Sequence, residues 1–580
     1  MLGRLDGTAR AELIEVARGR IEADLCLRNG RLVNVFNGRI EAADLAVHGA
    51  RIAGWGSYRG RREIDLGGMY VAPGFIDGHL HLESTLLAPA RFAAVVAAHG
   101  TSAVIADPHE IANVLGLAGI RYMLEASRDL PVDIFFMLPS CVPASPLETS
   151  GARLRASDLF SLLPHPRILG LAEMMNFPGV LDADPLVLDK LTLFQDHMID
   201  GHAPRLSGND LNAYLSAGIG SDHECTALDE ARDKLARGMA VMIREGSQSQ
   251  DLTALLPLID DHSWPRCLWV SDDRHPDDLL QDGHLDAIIN KAMRLGLDPV
   301  RAITLGSRTA ADWFRLRGRG ALAPGYLADF SVSPTLNPWR PARVFKGGRE
   351  TARDGALLAD ARPLNRTPAP GSPMALGPIS VDDLKVAGGP GALKVIEMVS
   401  GSLLTRCRLC QPKLSDGAVV ADPQRDILKL MVLNRYGSAG STPPPALGFI
   451  QGMGLKQGAL ASTVAHDSHN VIAVGASDQA IVCAVEALRQ SGGGMVAATE
   501  TEIRARLDLP IAGLMSERDA PEVAAALQEL QHAARELGCT LANPFMALSF
   551  MALPVIPELK LTDRGLVDVT CFSFTPLFAG

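Results

Sequence analysis

The chain has 580 residues, and its 55 lysines and arginines against 66 aspartates and glutamates give a formal charge of −11. An acidic protein gains little from releasing the counterions of DNA or RNA, so a nucleic-acid polymer is not expected as a partner. The sequence contains no uninterrupted run of about 18 apolar residues, the length that a membrane-spanning helix needs. Its N-terminal part also lacks the apolar core of a signal peptide. We therefore expect a globular protein of the cytoplasm with no membrane partner.

The nine cysteines are odd in number and dispersed along the chain, which is typical of reduced thiols in cytoplasmic proteins. Only Cys407 and Cys410 stand close together. A single CxxC pair with no second pair or nearby histidine is weak evidence for zinc or redox chemistry, so plain thiols are predicted here.

Residues 20–70 contain short alternating apolar segments separated by turns, which predicts a small β-sheet rather than helices. Strand-like segments return at 328–334 and 342–355. Because segments that flank a domain often meet in space, we expect residues 1–67 and 319–362 to form one composite β-sandwich domain.

Between these pieces, residues 68–318 alternate apolar strand-like segments with helical ones. Eight strands over about 250 residues are typical of a closed (β/α)8 barrel of the TIM type, so an α/β fold is predicted. An open doubly wound sheet is the alternative, because periodicity does not prove closure. The eight candidate strands lie within 71–84, 101–110, 132–140, 167–175, 198–205, 218–224, 239–247 and 267–274.

Residues 363–380 are rich in proline, glycine and serine, which indicates a linker. Residues 381–580 are predicted to form an additional α+β domain. Its glycine-rich segments do not have the spacing of a phosphate-binding P-loop and are interpreted as turns.

Side chains that suit metal ions follow several of the candidate strands. The C-terminal ends of barrel strands meet at the active site, and His79 and His81 point the same way because they are two residues apart on one strand. A single histidine at a strand end is more often structural, but the joint pattern predicts a metal centre. Nitrogen and oxygen donors suit Zn, Mn or Fe(II), and a shared carboxylate favours two ions. The candidate ligands are His79, His81, Glu173, His202, His223 and Asp272.

Several segments carry a resemblance to a known family. They include PGFIDGHLHLES at 73–84, ADPHEIANV at 106–114, DGHAP at 200–204, SDDR at 271–274 and STVAHDSHN at 462–470. On these segments the chain resembles the metal-dependent amidohydrolase superfamily and, within it, the bacterial-type adenine deaminases. Many members of the superfamily have a carboxylated lysine where this chain has Glu173, and that difference points to the same smaller family.

The resemblance implies hydrolytic deamination of adenine to hypoxanthine and ammonia by a water that attacks C6. It also implies two divalent metal ions, with Mn or Fe(II) favoured and Zn as a further option, bridged by Glu173, and a homodimer. Asp272 is the expected proton shuttle, and we prefer it to Asp273 as the ligand.

Further polar residues are expected to orient the ligands or to contact the substrate, with rim salt bridges or helix caps as the alternative interpretation. We interpret the segment 466–470 as loop structure or a contact that closes over the substrate, because contiguous residues cannot easily converge into a second catalytic centre. These further candidates are Glu83, His109, Glu110, Asp273, Ser247, His284, His466 and His469.

Two departures from the family pattern bear on specificity: Asn434 and Tyr436 flank an arginine where Glu-Arg-His is usual, and Asn543 replaces an expected aspartate. One alternative function is therefore an amidohydrolase that acts on another purine or a cyclic amide, since fold and metals do not fix the substrate. A non-catalytic scaffold is a second alternative, which the retained ligands disfavour. The cytidine-deaminase type of zinc site, with an HxE motif followed by PCxxC, does not occur in this sequence.

Overall fold

The computed structural model describes residues 5–363, 367–399, 402–437 and 444–580. Residues 364–366 of the predicted linker lie outside the described residues. Within the described ranges, no helix is long and apolar enough to cross a membrane. All nine cysteines are free thiols, and Cys407 and Cys410 share one strand, Thr405–Cys410.

Eight parallel strands form the centre of the fold, and each predicted segment in residues 68–318 contains one of them. The first five strands make one sheet and the last three make another. Leu80 on the first strand pairs with Asp272 at the end of the eighth, and the Gly220 amide donates to the Ile199 carbonyl between the fifth and sixth strands at 3.0 Å. The parallel sheet therefore curls back on itself, as in a barrel. The strands are Phe75–Leu80, Thr101–Ala106, Asp133–Leu138, Ile168–Met174, Met198–Gly201, Ser221–Asp222, Ala240–Arg244 and Cys267–Val270.

The first predicted segment, 71–84, is not a single strand, and the prediction was wrong on this point. Tyr70–Pro73 pairs with strands of a different sheet, whereas Phe75–Leu80 pairs with the second barrel strand. Gly74 separates the two pieces, and a Cβ atom at this position would lie 2.6 Å from the side chain of Ser102. Only glycine lets the chain pass from one sheet to the other at this close approach.

A nine-stranded mixed sheet joins strands from both sides of the barrel segment. Tyr70–Pro73 makes this connection, because it runs parallel to Ala23–Asn34 on one side and antiparallel to Phe330–Ser333 on the other. The two predicted β-rich pieces thus share one sheet, while the domain boundaries themselves stay predictions. Helix Gly7–Ala17 precedes the sheet, and the strands are Ala23–Asn34, Arg39–His48, Arg51–Gly56, Gly60–Asp65, Tyr70–Pro73, Phe330–Ser333, Arg343–Lys346, Arg349–Arg353 and Ala356–Leu357.

Helices connect the eight barrel strands and bury apolar side chains against them. Leu285–Arg294, for example, buries Leu285, Ile288 and Ile289 and leaves Arg294 exposed, which is the amphipathic pattern of a helix that covers a sheet. The helices of this region are Pro89–Ala98, His109–Leu115, Leu117–Ala126, Ala156–Leu159, Phe177–Leu181, Pro185–Leu193, Gly208–Ser216, Leu228–Ala236, Leu252–Leu255, Pro276–Gln281, Leu285–Arg294, Pro299–Leu305 and Arg308–Trp313.

The part of the chain after residue 380 builds a second nine-stranded sheet and two smaller three-stranded ones. Its helices are Asp478–Ser491, Ala520–Glu536 and Pro544–Ser549. The strands are Val386–Ala387, Ala392–Met398, Thr405–Cys410, Lys413–Ser415, Ala418–Val420, Leu428–Leu433, Ala446–Gln451, Ala459–Ser462, Val471–Gly475, Gly494–Ala498, Ile503–Asp508, Leu559–Thr562, Gly565–Asp568, Ser573–Phe574 and Phe578–Ala579.

This C-terminal unit packs directly against the barrel. The Ala88 amide donates to the Ser516 carbonyl at 2.9 Å, and the Ser516 amide donates to the Leu86 carbonyl at 2.8 Å. Helix Ala520–Glu536 contacts barrel helices Pro89–Ala98 and Pro276–Gln281. The largest apolar cluster is continuous across the boundary. Burial of this shared apolar surface holds the unit beside the loop that follows the first barrel strand.

Candidate metal centre

A buried carboxylate, Glu173, lies at the centre of a group of histidines at the C-terminal ends of the barrel strands. Its Oε1 atom is 3.2 Å from Nε2 of His81 and 3.5 Å from Nδ1 of His109. Its Oε2 atom is 2.7 Å from Nδ1 of His202 and 3.2 Å from Nε2 of His223. Each carboxylate oxygen therefore faces a different pair of imidazoles.

A second carboxylate, Asp272, lies beside the histidines of the first strand. Its Oδ1 atom is 3.5 Å from Nε2 of His79 and 3.3 Å from Nε2 of His81, and its Oδ2 atom accepts a hydrogen bond from Arg244 at 3.0 Å. Asp273 points elsewhere and accepts a hydrogen bond from Ser84. The structure thus places the first aspartate of the SDDR segment, and not the second, next to the histidine pair.

Burial makes this cluster sensitive to the charges within it. Burial alone would raise the pKa of Glu173, but the imidazoles of His223 and His202 hold it well below its usual value. Burial lowers the pKa of His79, and the neighbouring His223 lowers it further. His223 itself is buried, yet the contact with Glu173 raises its pKa to about 9. Burial and the charges of neighbouring groups therefore act together to shift the pKa values within this cluster.

The donor set fits divalent metal ions. The ligand atoms of His79, His81 and Asp272 lie within 4.8 Å of one another, and so do those of His79, Glu173 and His223. In the described part of the chain, the buried Nε2 atom of His79 makes no hydrogen bond. Imidazole nitrogens and carboxylate oxygens with no thiolate are the donors that Zn, Mn and Fe(II) accept.

The chain around the cluster holds the fifth and sixth strand ends together. Asp222 accepts a hydrogen bond from the Ala203 amide at 2.8 Å. Lys234 is fully buried, and its ammonium donates to the Ala203 carbonyl at 2.6 Å and to Asp222 at 3.0 Å. Because Ala203 follows His202 and Asp222 precedes His223, this ion pair fixes the two histidines relative to each other.

The tyrosine Tyr214 makes a second such link. Its hydroxyl donates to the Met174 carbonyl at 2.7 Å and accepts from the His202 amide at 3.0 Å. It therefore ties the strand end that carries Glu173 to the one that carries His202.

Three of the further candidates border the cluster. His109 lies between Glu173 and the C-terminal unit, and its Nδ1 atom is held by Asp107 at 2.9 Å. Glu83 is buried beside Glu110, and burial together with that second carboxylate raises the pKa of Glu83 to about 8. These carboxyl groups form a layer between the histidine cluster and the C-terminal unit.

Two other candidates lie away from the cluster. His284 is held between Asp77, 3.0 Å from its Nε2 atom, and Thr101, 2.8 Å from its Nδ1 atom. Ser247 bonds Asp278 and accepts from the His275 amide at 2.8 Å. Both side chains stabilise the barrel and its loops in this structure.

The C-terminal unit contributes the remaining two candidates, His466 and His469. The Nδ1 atom of His466 lies 3.4 Å from Glu110 Oε1. Tyr436, which departs from the family pattern, supports this segment by donating from its hydroxyl to the Ser468 carbonyl at 2.5 Å. Residues 466–470 are therefore a structured contact with the barrel.

Two further charged residues, Glu224 and Arg244, border the cluster. The strand-end pattern predicts for Arg244 a contact with the purine edge or a helix cap, and it predicts no role for Glu224. Glu224 Oε1 lies 3.6 Å from His223 Nε2 and 3.8 Å from His202 Nδ1, and Arg244 bridges Glu224 to Asp272. The position of Glu224 directly after His223 was the available signal. The pairing of Arg244 with Asp272 joins the seventh strand to the eighth and cannot be read from spacing.

Comparison with known proteins gives matches over nearly the whole chain. The amidohydrolase family model matches residues 70–351, and the adenine deaminase C-terminal domain model matches residues 402–573. An adenine deaminase of Syntrophobacter fumaroxidans is 62% identical over 569 residues, which cover 98% of each chain. An adenine deaminase of Dehalococcoides mccartyi is 50% identical over 571 residues, covering 98% of this chain and 99% of the relative. The chain belongs to the adenine deaminase family.

Among solved structures, a crystal structure of an adenine deaminase is 18% identical with a TM-score of 0.44, and it covers 57% of this chain and 99% of its own. The amidohydrolase match spans the barrel strands that carry the histidine cluster, and the second match spans residues 466–470. The two matched ranges therefore include both the histidine cluster and the C-terminal segment beside it.

The buried ion pair of Lys234 generates a stability prediction. Lys234→Met leaves the carboxylate of Asp222 buried without its ammonium partner, which costs about 3 kcal/mol. We expect a lower thermal midpoint of unfolding for the metal-free protein. Lys385→Met is the matched control, because the ion pair of Lys385 with Asp382 is exposed and contributes less than about 1 kcal/mol. Equal midpoints for the two variants would contradict the supporting role of Lys234.

Proposed function

We propose that this chain is a metal-dependent hydrolase that deaminates adenine to hypoxanthine and ammonia. The observation that carries the proposal is the position of Glu173, whose two carboxylate oxygens face two different pairs of imidazoles inside a buried barrel end. Identity of 62% and 50% with proteins named adenine deaminase, over nearly the full length of each chain, supports the substrate.

The proposed ligands divide into two sets that share Glu173. His79, His81 and Asp272 would hold one divalent ion, and His202 and His223 would hold the other. Divalent ions in such a site lower the pKa of a bound water to near neutrality and so supply a nucleophile at physiological pH.

The protein side chains then have to place the base and move a proton. Adenine loses its 6-amino group as ammonia, so both protons of the attacking water must be transferred, one to the ring nitrogen N1 and one to the departing amine, by a group that accepts and then donates a proton. We assign this transfer to Asp272, which reaches the histidine pair with one oxygen while Arg244 fixes the other at 3.0 Å. The arginine restricts the rotation of the carboxylate and so keeps one oxygen toward the reacting atoms.

The architecture around the site is part of the proposal. It comprises a closed (β/α)8 barrel over 68–318, a composite β-sandwich domain from 1–67 and 319–362, a linker at 363–380 and a C-terminal α+β domain. The shared nine-stranded sheet supports the composite domain. Manganese or iron(II) as the metal, a homodimer and a cytoplasmic location stay predictions.

Metal removal tests the function directly. We expect enzyme purified with added Mn(II) to release ammonia from adenine, with the ultraviolet change to hypoxanthine, and chelator-treated enzyme to release none. Ammonia release that survives removal of the metal would contradict the proposal. A protein that binds two ions per chain but leaves adenine unchanged would instead direct the search to other purines and cyclic amides.

The shared position of Glu173 can be tested without activity. Glu173→Gln keeps the volume of the side chain but removes its charge, so we expect fewer than two metal ions per chain by elemental analysis. Glu110→Gln is the matched control, since Glu110 is equally buried yet contacts Ser84 and His466 rather than the proposed ligands. An unchanged content of two ions in Glu173→Gln would remove this residue from the bridge.

The proton transfer assigned to Asp272 predicts a kinetic effect. Asp272→Asn should fold normally, as judged by circular dichroism, and lose roughly 10²- to 10⁴-fold in turnover, because an amide cannot accept the proton. Asp273→Asn should lose much less, since Asp273 contacts Ser84. Near-normal turnover of adenine by Asp272→Asn would overturn the assignment.

A further inference from the structure

The segment 465–470 brings polar side chains of the C-terminal unit against the barrel. It connects strand Ala459–Ser462 to strand Val471–Gly475 and is buried throughout. The Oδ1 atom of Asp467 lies 3.9 Å from Nε2 of His109, and the Asn470 amide donates to the Thr149 carbonyl at 2.8 Å. The segment therefore forms a wall of the site from outside the barrel.

Four side-chain polar atoms on this wall have no hydrogen-bond partner in the part of the chain that the structure describes: Nε2 of His466, Oδ2 of Asp467, Oγ of Ser468 and Nε2 of His469. Two of them, Oδ2 of Asp467 and Nε2 of His469, belong to residues that are 3% and 0% exposed. A buried polar group without a partner costs about 1–3 kcal/mol, and such groups are rare in native proteins. A ligand that supplies the missing partners removes this cost.

The two atoms have opposite hydrogen-bonding character. The Ala465 amide donates to Nδ1 of His469 at 3.2 Å, which requires that nitrogen to be unprotonated and puts the proton on Nε2. Burial and the nearby His466 hold the pKa of His469 well below its usual value, so the ring is neutral. His469 thus presents a donor and Asp467 an acceptor.

The same tautomer excludes a third metal ion at this place. Ligand atoms of Glu110, His466 and His469 lie within 4.8 Å of one another, as they would around a cation. A metal ion needs a free lone pair, and Nε2 of His469 carries a proton instead. The group is suited to an organic ligand with both hydrogen-bonding characters.

Asp467 lies close to the acidic centre, with one side chain between the two carboxylates. His109 separates them, with Nδ1 3.5 Å from Glu173 and Nε2 3.9 Å from Asp467. The edge of a purine opposite C6 carries N9–H beside N3. A base whose C6 faces the metal centre therefore directs a donor and an acceptor away from it.

A cleft leads to the wall from outside. It lies between the barrel residues Ser84 and His275 and the C-terminal residues His466, Asn543 and Phe545. The boundary between the barrel and the C-terminal unit therefore has a cleft that reaches His466.

We propose that Asp467 accepts a hydrogen bond from N9–H of the base and that His469 donates one to N3, so that the C-terminal unit selects the free base over its N9-substituted forms. The proposal rests on the proposed function. A nucleoside or nucleotide carries a sugar on N9, so it would leave the buried carboxylate of Asp467 unpaired and would clash with it. Sites built to hydrogen-bond a substrate reject analogues that lack the group strongly.

The test compares adenine with 9-methyladenine on the Mn-loaded enzyme. For the native protein we expect kcat/KM to be at least ~100-fold lower with the methylated base, corresponding to about 3 kcal/mol. In Asp467→Ala, the ratio of kcat/KM for adenine to kcat/KM for 9-methyladenine should fall by roughly tenfold or more, chiefly through a higher KM for adenine. If both substrates fall by the same factor in the variant, the role of Asp467 is only structural and the proposal fails.

A second variant and a control keep the test decisive. His469→Gln, compared on adenine and 3-deazaadenine, should lose the preference for the base that has N3, and an unchanged preference would overturn the role of His469. Asp563→Asn is the control. Asp563 is another carboxylate of the C-terminal unit, and it accepts a hydrogen bond from the Thr149 amide of the barrel at 2.8 Å. This variant should leave both substrate ratios unchanged. A native enzyme that is inactive on adenine would contradict the proposed function, whereas an active one with equal rates on both bases would contradict only this inference.

Discussion

The site depends on one constraint: a carboxylate, that of Glu173, is buried among imidazoles at the end of the fourth barrel strand. A lone buried charge is strongly unfavourable, so the surrounding strands must supply opposite charge or metal ions from several directions. His81, His109, His202 and His223 do this from three other strand ends and the helix after the second strand. The curled parallel sheet is the arrangement that brings these strand ends to one place.

Buried contacts behind the cluster also help to hold the imidazoles around Glu173. Lys234 and Asp222 fix the fifth and sixth strand ends, and Tyr214 links the fourth to the fifth. Each of these contacts is buried, where hydrogen bonds are stronger and misplacement costs more than at the surface. Residues outside the set of candidate ligands therefore help to fix the positions of these ligands.

The C-terminal unit is part of the site rather than an appendage. Its segment 465–470 closes the side of the barrel end next to His109 and Glu110. The backbone pairing of Leu87 with Ser516 and the continuous apolar cluster keep it there. A barrel end alone offers donors for metal ions, and the second unit adds donors and acceptors that a base can recognise. On the proposed function, reaction chemistry and substrate recognition come from different parts of the chain.

The sequence by itself determined the eight barrel strands and the candidate ligands, because apolar periodicity and polar residues at strand ends are local patterns. His79 and His81, two residues apart on one strand, are the clearest example. It could not separate Tyr70–Pro73 from Phe75–Leu80, since both are short apolar strands and only their partners differ.

Other assignments needed contacts between distant residues. Only the tertiary structure showed that Asp272 faces His81 whereas Asp273 faces Ser84. It also showed that His284 contacts Asp77 and that Asp467 lies beside His109. These pairs are separated by many positions in the chain, and side-chain direction at a strand end depends on the packing of neighbouring strands. Local sequence patterns determine which residues end a strand, whereas the packing of the curled parallel sheet determines which of them meet.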